Sequence, residues 1–113
     1  MNAILEVLDA QPLYGEDGPG AAPQGMQYDI AESGELEPIG SVHLVDKGDS
    51  YASIYDPGTD KVSTLTFGID IETLTADPEV VAVHAARAAL HQTAETEAEL
   101  LVLLGEDGFA GIR

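Results

Sequence analysis

The chain lacks cysteine and tryptophan altogether, and it has almost no positive charge. Without cysteine there are no disulfides, no thiolate nucleophile and no sulfur ligand for a metal. Lys47, Lys61, Arg87 and Arg113 are its only Lys and Arg residues, set against 21 Asp and Glu, and the net charge is −17. The first Lys or Arg is residue 47. Nucleic acid and anionic membranes are bound through Lys and Arg that displace counterions, so this composition disfavours both. Long apolar runs are missing too. The longest spans Leu100 to Leu104, against roughly 20 residues needed to cross a bilayer. The first residues carry Glu6 and no basic cluster, so no secretory signal is expected, and a cytoplasmic or particle-associated location is.

Three readings of the acidity compete: a well-solvated surface, adaptation to high salt, and imitation of DNA with carboxylates in place of phosphates. Charge speaks to solubility and partners, not to fold.

At 113 residues the chain is expected to be one domain. Residues 3–9 are apolar and partly β-branched, as in a strand. Seven of the fifteen residues 11–25 are Gly or Pro, a composition that reads as a loop or an extended arm. Met26, Tyr28 and Ile30 alternate with Gln27, Asp29 and Ala31, giving a half-buried strand. A further strand runs over about 36–45, with Pro38 and Gly40 suggesting an edge or bulge at its start. Another covers 50–55. Asp56-Pro57-Gly58-Thr59 predicts a type II turn, with Pro57 and Gly58 at its centre. The strand beyond, about 61–71, places Leu65, Phe67, Ile69 and Ile71 on one face.

Asp77-Pro78-Glu79 opens a helix: Asp accepts from free N–H groups, Pro suits the first turn, and Glu complements the dipole. That helix should reach about Gln92, with Ala82, Ala85, Ala86 and Ala89 on a small-residue face. Thr96 and Glu99 match a capping box ahead of Leu100 to Leu104, with Gly105 as the terminator. A short second helix is the expectation; a buried strand over 100–104 is the alternative. The predicted fold is therefore α+β: an antiparallel meander of four or five strands followed by one or two C-terminal helices.

His84, Arg87 and His91 fall at spacings of three and four, along one stripe of the first helix. Two imidazoles and a guanidinium there suit an anion, a small ligand or a pH response; the simpler reading is a solvated stripe paired with the chain's own acids. The i, i+4 pairing of helical zinc ligands is missing, and His43 is the only other imidazole, so no metal is expected. Asp46 and Asp49, like Asp56 and Asp60, flank turns that explain them without calcium. Nucleophile, phosphate-loop and dinucleotide motifs are absent, so neither catalysis nor a cofactor is expected. Leu13 and Tyr14, beside the Gly/Pro stretch, are candidate contact residues, since aromatic side chains favour interface cores. The leading expectation is a non-enzymatic structural or protein-interaction module within a larger assembly such as a virus particle, self-associating or binding other subunits. Alternatives are an acidic DNA mimic and a small-ligand or enzymatic domain built on the His84, Arg87 and His91 stripe.

Overall fold

The computed structural model describes residues 4–14, 20, 25–45, 49–69 and 77–112, with backbone alone for residue 49 and residues 104–112. Strands β1 (Leu5–Leu13), β2 (Gly25–Glu32), β3 (Gly40–Val45), β4 (Asp49–Asp56) and β5 (Lys61–Ile69) precede helices α1 (Pro78–His91) and α2 (Ala94–Gly108), and β6 (Phe109–Ile112) follows. The sheet runs in sequence order from β1 to β6, and every neighbouring pair is antiparallel. This is the α+β meander expected from the alternation, with two C-terminal helices and one additional short strand.

The period-two pattern decides which face is covered. Tyr28, Ile30, Val42, Leu44, Ala52, Ile54, Leu65, Phe67 and Ile69 are buried on the inner face, against α1. From the helix side come Val81, Ala82, Ala85, Ala86, Ala88 and Ala89, all fully buried. Alanine has no reach beyond Cβ, so the helix lies close on the sheet, and the strands supply the bulk of the core. Burying a Phe or Ile side chain contributes on the order of 1.5–3 kcal/mol, which makes Phe67, Ile30 and Ile54 the heaviest single contributors.

Three local expectations are corrected. The first strand does not end at residue 9. It continues through Gln11, Pro12 and Leu13, which pair with Gln27, Met26 and Gly25. Pro12 is tolerated because β1 lies at the sheet's edge, where a missing N–H costs no ladder bond. Of the Gly/Pro stretch expected as a loop or an extended arm, residues 11–13 and 25 lie in strands β1 and β2, and residues 15–19 and 21–24 lie outside the described residues. Next, the turn after β4 is not type II. Asp56 Oδ1 accepts from Gly58 N at 2.8 Å, and the Asp56 carbonyl accepts from Asp60 N at 2.8 Å. The left-handed residue of the turn is Asp60, with φ 56°; Asp tolerates that region better than most residues. Finally, β3 begins at Gly40 and is central, between β2 and β4. Gly40 is required by proximity: a Cβ there would meet the Ser53 carbonyl oxygen, with Ile54 Cα and Cδ1 each at 2.8 Å.

Helix α1 begins as read. Asp77 Oδ1 accepts from Glu79 N at 2.9 Å, and Gln92 closes the helix in the left-handed region with φ 43°. Helix α2 is longer than expected, and its cap lies three residues earlier. Thr93 Oγ1 accepts from Thr96 N at 3.2 Å, while Thr96 Oγ1 accepts from Thr93 N at 3.1 Å. The box is thus Thr93 with Thr96, which frees Glu99 for another partner. The helix passes through Gly105 to Gly108, so Leu100 to Leu104 are helical and not a strand.

Candidate functional site

No helix among the described residues is long and apolar enough to cross a membrane. The candidate site lies where α1 meets α2 on one side and β1 on the other. A cleft of about 610 Å³ between the helices is lined by His84, Arg87, Glu95, Ala98, Glu99, Val102 and Leu103. A second, of about 390 Å³, lies between β1 and α1 and is lined by Leu5, Glu6, Val7, Glu79, Val80, Val83 and His84. His84 borders both clefts.

The stripe is therefore split. His84 and Arg87 come together in the inter-helix cleft; His91 does not line it and is exposed in the last turn of α1, where an imidazole complements the helix dipole. Arg87 Nη1 lies 3.1 Å from Glu99 Oε2, joining the two helices. Both side chains remain about a third exposed, at 34% each, so the pair contributes little stability and mainly fixes where the guanidinium sits. The Nδ1 atom of His84 is buried and has no hydrogen-bond partner among the described residues. A buried polar nitrogen left unpaired is costly, and a ligand or partner atom entering the cleft would remove that cost.

Apolar side chains that sequence spacing did not single out frame this position. Val80 is 42% exposed and Val102 84% exposed, one on each side of His84. Val80 continues the stripe of His84 and Arg87 one turn earlier, which is the signal that was available. Leu13 and Tyr14 stand apart, at the far end of β1, half-buried and 41% exposed respectively.

The sheet's outer face is polar. His43 and Tyr51 are register partners, stacked with ring centroids 4.4 Å apart, and Tyr51 Oη lies 3.1 Å from His43 Nδ1. Burial lowers the His43 pKa below the ordinary imidazole value, against a smaller opposing pull from Asp29. Tyr28, on the inner face, is raised above the ordinary phenol value by burial first and then by Glu79 and Asp77. The exposed Tyr55 is raised chiefly by donating to Asp60 Oδ1 at 2.6 Å.

Every carboxylate whose surroundings are described is exposed or half-buried. These acids occupy the outer sheet face, the end of β2, the β2–β3 and β4–β5 connections and both helices. Of the aspartates weighed as calcium ligands, Asp56 and Asp60 hold their own turn together, while Asp46 and the Asp49 side chain lie outside the described residues. Among the described residues no three His, Asp or Glu converge as a metal site would require.

Fold and clefts together define a small α+β domain with a helix-backed open sheet and an apolar-walled, acid-rimmed recess centred on His84. No protein-family model, no curated protein and no solved structure matches this chain.

Proposed function

We propose that this chain is a non-catalytic protein-interaction module, a subunit of a larger assembly, and that it meets its neighbours through the recess around His84. The observation that carries this reading is the pair of apolar side chains, Val80 and Val102, held in solvent on either side of a buried imidazole nitrogen that has no partner among the described residues. Exposed apolar walls rimmed by polar groups are a recurring mark of contact surfaces. Arg87, Glu95 and Glu99 supply such a rim.

The test is carboxyl-directed crosslinking in the cells that make the protein, read by mass spectrometry, since Lys47 and Lys61 are its only lysines. The expected result is a complex of defined stoichiometry crosslinked through Glu79, Glu95 or Glu99. Replacing Val80 and Val102 by Glu should dissolve it. Crosslinking that recovers the chain without any partner, for wild type and the double variant alike, overturns the reading.

A second reading, a small anionic ligand in the inter-helix cleft, is favoured by His84 Nδ1 and the neighbouring Arg87 guanidinium. Fragment screening by NMR tests it; small carboxylates that shift neither His84 nor Arg87 would discard it.

A further inference from the structure

Among the described residues, β1 pairs only with β2, so its outer edge is free. The orientation of its backbone can be read directly. Ser33 donates its N–H to the Ile4 carbonyl at 2.7 Å, so the polar groups of Ile4 turn toward β2. Backbone polar groups alternate sides along a strand. Glu6 therefore also turns toward β2, while the N–H and C=O groups of Leu5 and Val7 point outward from the sheet. The side chains of Leu5 and Val7 lie on the inner face, at the wall of the cleft shared with Val80 and Val83 of α1. A free strand edge, a groove beside it and a helix on the groove's far side are the parts with which extended peptides are bound as added strands.

We infer that the Ile4–Val7 edge of β1 accepts an extended segment of a basic partner protein, which joins the sheet as a further strand. This rests on the interaction reading above and gives it a partner class. Residues of the partner that point the same way as Leu5 and Val7 enter the cleft toward Val80 and Val83, so they are apolar. The residue between them shares the side of Glu6 and is Lys or Arg. Glu79, at the cleft's other wall, favours a second cation. Charge selects the occupant. β1 carries Glu6 and Asp9 and no Lys or Arg, so a second copy laid along the same edge would set acid against acid, with −17 on each chain. A basic strand meets the opposite field.

Protection of the edge is also uneven. Proteins guard exposed strand edges with bulges, prolines and charges. Here the register shifts between Val7 and Asp9, and Pro12 offers no N–H, so the later half of β1 is a poor template. The earlier half has only Glu6, and Ile4 is 75% exposed there.

The experiment titrates the full chain with a blocked peptide of alternating valine and lysine, alongside the same peptide N-methylated on alternate residues and a valine–glutamate counterpart. Affinity is read by calorimetry and position by amide exchange. The expected result is binding of the lysine peptide, slower exchange at Leu5 and Val7, no binding of the glutamate peptide, and about thirtyfold weaker binding after N-methylation removes two strand hydrogen bonds. Equal affinity of the plain and N-methylated peptides would mean attraction by charge alone and overturns strand addition. Protection centred on His84, Arg87 and Val102 also overturns it, while the interaction reading survives. Self-association through β1 in place of peptide binding overturns the partner class. If no peptide binds and crosslinking recovers no complex, both readings fall.

Discussion

Asp9 and Asp29 are register partners, directly across from one another on the outer face of β1 and β2. Each carboxylate is held by a glutamine on its own strand: Gln11 Nε2 donates to Asp9 at 3.1 Å, and Gln27 Nε2 donates to Asp29 at 3.1 Å. The amides orient the acids without neutralising them. Like charges directly opposite in a sheet cost roughly 0.2–1 kcal/mol. Asp9→Lys converts the repulsion into attraction and should raise stability in urea unfolding by about 0.5 kcal/mol at low salt. The gain should shrink at 1 M salt, where the screening length falls to about 3 Å.

A second expectation concerns pH. The folded pKa of His43 lies below its unfolded value, so on acidification the unfolded chain takes up the proton first. Its stabilising contribution is therefore complete above pH ~6.5 and is lost as pH falls toward the folded pKa. Unfolding midpoints of wild type and His43→Gln, measured from pH 8 to 5, should run parallel above pH ~6.5 and converge or cross below it. Parallel curves throughout would show that burial of His43 has no consequence for folding.

The reciprocal Thr93 and Thr96 box predicts the effect of Thr93→Ala. Loss of the Oγ1 acceptor should cost about 1 kcal/mol, seen as a lower thermal midpoint. The loss should be local to α2, with amide exchange fastest at Glu95 to Glu97 and unchanged in β4.

Gly40 supplies the sharpest steric expectation. Gly40→Ala puts a methyl group against the Ser53 carbonyl and the Ile54 backbone, neither of which can yield without moving β4. A loss of at least about 2 kcal/mol is expected. Gly20, with nothing near its Cβ position among the described residues, is the control, and Gly20→Ala should be neutral.

The strands β2 to β5 and the start of α1 were legible because their signals are local: alternation, an Asp cap, a proline in the first turn. The later half of β1 was not, since Pro12 argues against a strand unless one already knows that the strand is an edge. The α2 cap is ambiguous in the sequence because Thr93 and Thr96 both precede acidic residues; which threonine caps depends on where Gln92 releases the chain from α1. Phe109-Ala110-Gly111-Ile112 carries too little pattern to announce a strand, and only its pairing with β5 makes it one. At the site, spacing brought out His84 and Arg87 but could not say that His91 belongs to the helix terminus. Nor could spacing reveal Val102, Glu99 or the β1 edge, which reach the recess by tertiary packing.

The strictly sequential order of the sheet also bears on how fast the molecule forms. Each pairing from β1–β2 to β4–β5 joins strands that are neighbours in the chain, so each closes a short loop and can form early. The β5–β6 pairing alone encloses both helices. It must wait for α1 and α2 to settle, and the same strand should be the first to detach when the folded chain is pulled or heated.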